Sequence, residues 1–139
     1  MIVYHAAPMI LSEGSIIQSG NWGRMLGVYN EANQVFFREY VLEETRVRLF
    51  PTKPSRLHAL FAVPTLDGAL AYRYANCPLN LIYELEVLIE EHQVHMGSYS
   101  MQLPPGADLA DRVNTLALNY WTDTPTHEVE LVIPCSVGL

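Results

Sequence analysis

From Asn80 to Leu88 the chain alternates apolar and charged residues. Leu81, Tyr83, Leu85 and Val87 fall on one side of an extended segment, and Glu84 and Glu86 on the other. A strand with one apolar and one charged face belongs to a sheet covered on a single side, which is the habit of antiparallel sheets. Strands of a parallel sheet are buried on both faces and read as continuous apolar runs.

The other elements have to fit around that strand. Residues 2–6 predict a short strand, and 14–20 a short extended piece between glycines, leading into a loop at Asn21-Trp22-Gly23-Arg24. Residues 31–49 predict the clearest helix: Val35, Leu42 and Leu49 recur at sevens, Phe36 and Tyr40 widen the stripe, and Pro51 and Pro54 end it. On that helix Glu44 and Arg48 stand four apart in the favourable order, with Glu43 and Arg46 three apart. Leu57 to Val63 predicts a buried strand. Thr65 is placed to cap a helix over 66–75 with Leu66, Ala69, Leu70 and Arg73 on one face. Residues 92–101 read as a strand or a long loop. A helix follows over about 107–120, with Leu109, Val113, Leu116, Ala117 and Tyr120 facing the core, and a last strand over 127–133. Strands and helices mix without regular β-α-β alternation. The expected fold is therefore α+β, a mostly antiparallel sheet with flanking helices, and 139 residues suit one domain spanning 1–139.

Charge is unevenly placed. The net charge is −7, yet five of the eight basic residues (Arg38, Arg46, Arg48, Lys53 and Arg56) lie between positions 38 and 56. An acidic chain does not hold nucleic acid by diffuse attraction, whereas a local basic cluster can take the phosphates of a small ligand. The plainer reading is a solvated helix face. Half of the residues are hydrophobic and 17% charged, which is an ordinary globular composition. No apolar run approaches the ~18 residues of a membrane span, and no secretion signal is visible, so no membrane partner is expected. Cys77 and Cys135 lack metal or redox spacing and read as reduced thiols. The expected location is the cytoplasm, or a target cell for an effector delivered by a signal-independent route.

The chemistry gathers at the two ends of the chain. Tyr4-His5 lies in the first strand. The last carries His127-Glu128-Val129-Glu130, whose two carboxylates are expected on the same side. On an open face they would be two idle glutamates. In a cleft, a carboxylate would favour the oxocarbenium-like state through which a glycosidic bond breaks. His5 reads more readily as a packed core or edge histidine of a strand than as a catalytic group, although it is able to orient a hydroxyl.

Tyr4-His5 in a first strand, Leu60-Phe61-Ala62 followed by Asp67-Gly68-Ala69-Leu70-Ala71-Tyr72, and Glu128-Val129-Glu130 in a last strand together resemble the ADP-ribosyltransferase superfamily. The likeness is greatest to its small bacterial domains in which a segment like Pro54-Ser55-Arg56 precedes the middle strand. The resemblance implies a split sheet with flanking helices. It also implies NAD as the substrate and transfer of ADP-ribose to a macromolecular acceptor, protein slightly favoured over nucleic acid, as in a toxin or effector. Such a protein would also be expected to meet an inhibitor or immunity protein. By position, His5 would contact a ribose of NAD and Tyr72 would stack on nicotinamide. Glu130 would support the ribosyl cation, and Glu128 would position the acceptor. Ser55 and Arg56 stand loosely where other members carry a Ser-Thr-Ser strand, with Arg56 in reach of a diphosphate. Leu60 replaces an aromatic, so one wall of the nicotinamide pocket is expected to be aliphatic.

Two other readings compete. The same fold can serve as an inactive NAD- or ADP-ribose-binding or interaction domain. Alternatively, His92-x-x-His95 can belong to a metal hydrolase, although no acidic third ligand stands at a diagnostic spacing.

Overall fold

The computed structural model describes residues 1–26 and 34–139. In chain order the described elements are β1 (Ile2–Ala7), β2 (Ile16–Ile17), α1 (Asn21–Leu26), α2 (Gln34–Leu49), β3 (Leu60–Ala62), α3 (Leu66–Asn76), β4 (Leu81–Glu86), β5 (His95–Ser98), α4 (Leu109–Thr122), β6 (Val129–Ile133) and β7 (Val137–Gly138). Short 3-10 turns occupy Arg56–His58 and Glu91–Gln93. The strands form two antiparallel sheets, ordered β1-β4-β7-β2 and β3-β6-β5. This is the α+β, antiparallel class expected. The two sheets touch where Tyr4 and Val63 exchange backbone hydrogen bonds of 2.9 and 2.7 Å.

Two apolar layers hold these pieces. Val3, Leu85, Val87 and Val137 of the first sheet meet Leu60, Ala62, Leu131 and Ile133 of the second. On the other face of the second sheet, Val132 packs with Leu42 of α2 and with Leu116, Ala117, Tyr120 and Trp121 of α4. Alternation along β6 thus sends Leu131 and Ile133 between the sheets and Glu130 and Val132 toward the helices. The indole Nε1 of Trp121 donates to the Leu42 carbonyl at 2.9 Å and ties α4 to α2.

Several expectations change in detail. The loop at 21–24 is part of α1. Positions 31–33 of the expected helix lie outside the described residues. On α2 the sevens stripe holds only at Leu42, while Tyr40 and Leu49 are exposed and the buried positions include Glu39 and Thr45. The expected strand 57–63 shrinks to Leu60–Ala62, because Ser55 caps the preceding 3-10 turn by accepting from Leu57 N at 3.2 Å. Thr65 caps α3 through Gly68 N, yet Leu66 and Leu70 are exposed and only Ala69 is fully buried. Leu109 is exposed at the start of α4, where Asp108 is the cap. Residues 95–98 resolve the strand-or-loop choice as β5.

His95 is enclosed between β5 and α4. Its Nε2 faces the Tyr120 carbonyl at 3.1 Å, its Nδ1 lies 3.3 Å from Lys53 Nζ, and its ring centroid is 4.7 Å from that of Trp121. The carbonyl requires a proton on Nε2 and the ammonium requires a lone pair on Nδ1, so the ring is neutral. Burial and then the Lys53 charge lower its pKa to about 4. His92 is exposed and pairs with Glu90. The His92/His95 pair therefore does not converge, and no group of three metal-ligating side chains occurs among the described residues.

Below its ordinary pKa of 6.5, an unfolded His95 takes up a proton that the folded ring refuses until about pH 4. This contribution to stability is complete above pH 6.5 and is lost as pH falls toward 4, by about 3 kcal/mol. Urea midpoints should fall more steeply between pH 7 and 5 in the native protein than in His95→Gln. Parallel slopes would remove His95 from the account.

Candidate functional site

Where the two sheets part beside the Tyr4–Val63 bridge, a cleft of about 290 Å³ opens. Its walls come from β1 (His5), the turn before β3 (Arg56), β3 (Phe61), α3 (Tyr72), the segment after β5 (Tyr99) and β6 (Glu130). Four of the six residues singled out in the sequence thus meet in one cavity: His5, Arg56, Tyr72 and Glu130. Its size lies at the small end of the roughly 300–1,000 Å³ typical of small-molecule sites.

His5 Nδ1 lies 2.7 Å from the Phe61 carbonyl oxygen. Burial lowers its pKa, partly opposed by that bond, so the ring is neutral at pH 7. The Nδ1 proton is then committed to the carbonyl, which leaves the Nε2 lone pair as an acceptor. The bond also fixes the ring across the junction of β1 and β3.

Glu130 belongs to a buried ionic cluster. Arg56 is 4% exposed, and its guanidinium donates from Nε and Nη2 to Glu39 at 2.8–3.2 Å, and from Nη1 to Tyr120 Oη at 2.7 Å and to Glu130 Oε1. Tyr120 Oη donates to the same Glu130 oxygen at 2.7 Å. The guanidinium carbon sits 4.7 Å from the centre of the Phe61 ring and 5.0 Å from that of Tyr120. Burial works against the charge on Arg56, but Glu130 and Glu39 outweigh it and hold the group firmly protonated. Burial alone would raise the Glu39 pKa; its bonds to Arg56 and the charges of Arg56 and Arg38 bring it below the ordinary value. Both donors to Glu130 use Oε1. Oε2 makes no hydrogen bond among the described residues and is not sealed from solvent, so it is presented to the cleft as a second acceptor.

Tyr72 and Tyr99 meet edge to face with centroids 5.0 Å apart. Burial is the largest cause of the raised pKa of each phenol, and nearby Glu130 adds to it, so both are neutral at pH 7. They supply aromatic surface to the same cavity.

Four expectations need correction. Glu128 and Glu130 do not share a face: the strand begins at Val129, and Glu128 has a left-handed backbone with φ of 51°. Its side chain is exposed and does not line the cleft, although its carbonyl accepts from Tyr99 N at 2.8 Å. Leu60 is not a cleft wall. It points between the sheets, 4% exposed, and its neighbour Phe61 takes the cleft position. Ser55 also lies outside the cleft, where its hydroxyl donates to Glu43 Oε2 at 2.8 Å. Arg56 does line the cavity, but its donors are spent on Glu39, Tyr120 and Glu130 rather than left for a diphosphate.

Sequence reasoning missed Glu39, Tyr99 and the hydroxyl of Tyr120. Glu39 stands three before Leu42, on the buried side of α2, which was a readable signal of a paired carboxylate. Tyr120 was expected in the core, and a buried phenol calls for a partner. Gly97, opposite Glu130 in the β5–β6 ladder, makes that partnership possible: a Cβ there would lie 2.5 Å from Cε2 of Tyr120.

Residues 6–137 match the model of a family described as a protein of unknown function, DUF2441. The chain belongs to that family. The match spans almost the whole chain and includes His5's neighbour Ala6, Arg56, Tyr72 and Glu130, but the family's description assigns them no chemistry. Among curated proteins none matches the chain significantly.

Removing Arg56 strands two buried carboxylates. Arg56→Ala should destabilise the fold by about 3–5 kcal/mol. Adding Glu130→Gln should restore part of the loss by neutralising one stranded charge; strictly additive losses in denaturant titrations would contradict the cluster. Gly97→Ala should lower stability by about 1–3 kcal/mol through the clash with Tyr120. An unchanged melting temperature would show that the ring is free to move away.

Proposed function

We propose that this cleft binds NAD and that the chain is an ADP-ribosyltransferase with an ADP-ribosyltransferase-like split-sheet fold. The observation that carries the reading is the convergence of His5, Tyr72 and Glu130, from the first strand, a central helix and the penultimate strand, on one cavity. Two acceptors, His5 Nε2 and Glu130 Oε2, call for a ligand that presents hydroxyl donors, as a ribose diol does. Tyr72 and Tyr99 offer aromatic surface for the nicotinamide ring.

In this mechanism the bond between ribose C1′ and the nicotinamide nitrogen breaks, and its electron pair leaves with nicotinamide. Glu130 stabilises the positive charge that develops on the ribose. A nucleophile of the acceptor then attacks C1′ and gives up its proton. Glu128, exposed beyond the rim next to Tyr99, would face that acceptor, a protein in preference to a nucleic acid. A toxin or effector working in a target cell, with an inhibitor or immunity protein as a partner, fits the same chemistry. No helix among the described residues is long and apolar enough to cross a membrane.

One observation favours a second reading. Glu130 is already paired with Arg56, and a carboxylate whose charge is balanced stabilises a cation less. On that reading the cleft holds NAD or ADP-ribose without cleaving it.

Incubation with labelled NAD separates the two. As a transferase, the native protein releases nicotinamide, and Glu130→Gln lowers the release at least 100-fold while NAD still binds. Binding without release selects the second reading. A native protein that neither binds nor consumes NAD overturns both.

A further inference from the structure

The basic cluster at positions 38–56 is not absorbed by the proposed reaction, and the structure sorts its five members. Arg46 is bound to Glu43 at 2.7 Å and to the carbonyls of Pro51 and Lys53. Arg48 pairs with Glu44 at 3.0 Å. Lys53 is turned to His95. Arg56 has all three nitrogens engaged. Arg38 differs from these four. It lines the cleft, its side chain is 32% exposed, and it has one hydrogen bond among the described residues, from Nη2 to Glu39 Oε1 at 3.1 Å. That oxygen already accepts from Arg56 Nε and Nη2.

Among the described residues the rest of the Arg38 guanidinium has no hydrogen-bond acceptor. Nε is sealed from solvent with no acceptor among the described residues, and Nη1 makes no bond there but is not sealed off. Nε, being sealed, is out of a ligand's reach, and the donors left to a cleft ligand are those of Nη1. Charge points the same way. Arg56 lies between Glu39 and Glu130 and does not present its donors to the cavity, so among the described residues Arg38 is the arginine with a donor open to a cleft ligand. The open Nη1 end of a guanidinium is a charged donor suited to a phosphoryl oxygen.

We infer that Arg38 forms an anion subsite of the cleft that takes a phosphoryl group of the ligand, the role the sequence pattern suggested for Arg56. The inference deepens the NAD reading and rests on it for the identity of the whole ligand, but not for the anion subsite itself. It predicts a nucleotide rather than a free nucleoside as the ligand. The phosphoryl end sits at α2, and the ribose end lies between His5 and Glu130.

The test is calorimetric titration of the full chain with ADP-ribose, nicotinamide riboside and inorganic pyrophosphate, for the native protein, Arg38→Gln and Arg38→Lys. Thermal unfolding of each variant reports whether it folds. Removing one charge-assisted hydrogen bond to a ligand weakens affinity by about 10- to 100-fold. Arg38→Gln should weaken ADP-ribose and pyrophosphate by that factor and leave nicotinamide riboside unchanged. Arg38→Lys, which keeps the charge without the fork, should fall between. If Arg38→Gln is unfolded, the comparison of Arg38→Lys with the native protein decides, and equal ADP-ribose affinities overturn the inference. Equal loss for phosphorylated and unphosphorylated ligands overturns it as well, as does a native protein that binds neither ADP-ribose nor pyrophosphate. Pyrophosphate binding that depends on Arg38, without binding of ADP-ribose or nicotinamide riboside, keeps the anion subsite and discards the NAD reading.

Discussion

A single buried guanidinium ties the second sheet to the helices. Arg56 reaches Glu39 on α2, Tyr120 on α4 and Glu130 on β6, and lies against the ring of Phe61 on β3. Burying a cation is unfavourable by several kcal/mol unless its partners are close and its donors satisfied. Here every nitrogen has an acceptor, two carboxylates supply the opposite charge, and Arg38 balances the excess on Glu39. The apolar layer around Leu42 and Val132 packs beside this cluster and shares Tyr120 with it. Stability and site geometry are therefore the same problem in this fold, since the carboxylate proposed to act on a ligand also closes the ionic cluster.

That sharing shapes the chemistry open to the cleft. Arg56 and Tyr120 both bind Oε1 of Glu130, which fixes the carboxylate and leaves its other oxygen to the cavity. His5 is set in the same manner, with one nitrogen spent on the Phe61 carbonyl and the other left open. On the proposed reading, these two acceptors held by their neighbours are what would receive the hydroxyls of a ligand. On the same reading, the balance of charge on Glu130 would decide between holding such a ligand and breaking it.

Much of this was legible in the sequence, for physical reasons that can be named. The alternation over 80–88 reports one buried face, and the chain does bury Leu85 and Val87 and expose Glu84 and Glu86, although Tyr83 is only half-buried and Leu81 is exposed. Short motifs at both ends and in the middle brought His5, Tyr72 and Glu130 to one cavity. What failed depended on backbone detail or on distant partners. The left-handed residue at Glu128 breaks the strand period two positions before Glu130, and residue spacing carries no sign of it. The 3-10 turn at 56–58 shortens β3, and Leu60 in that shorter strand faces the core, so the missing aromatic at that position leaves the cleft untouched. The partners of Arg56 lie 17, 64 and 74 positions away, beyond any local pattern.

The central claim is that the cleft holds a ribose between His5 and Glu130. Its most direct test is a crystal structure of the native protein grown with saturating ADP-ribose. The account predicts a terminal ribose whose hydroxyls lie within hydrogen-bond distance of His5 Nε2 and Glu130 Oε2, with Arg56 still bound to Oε1. An empty cleft, or ADP-ribose lodged away from both residues, would contradict it.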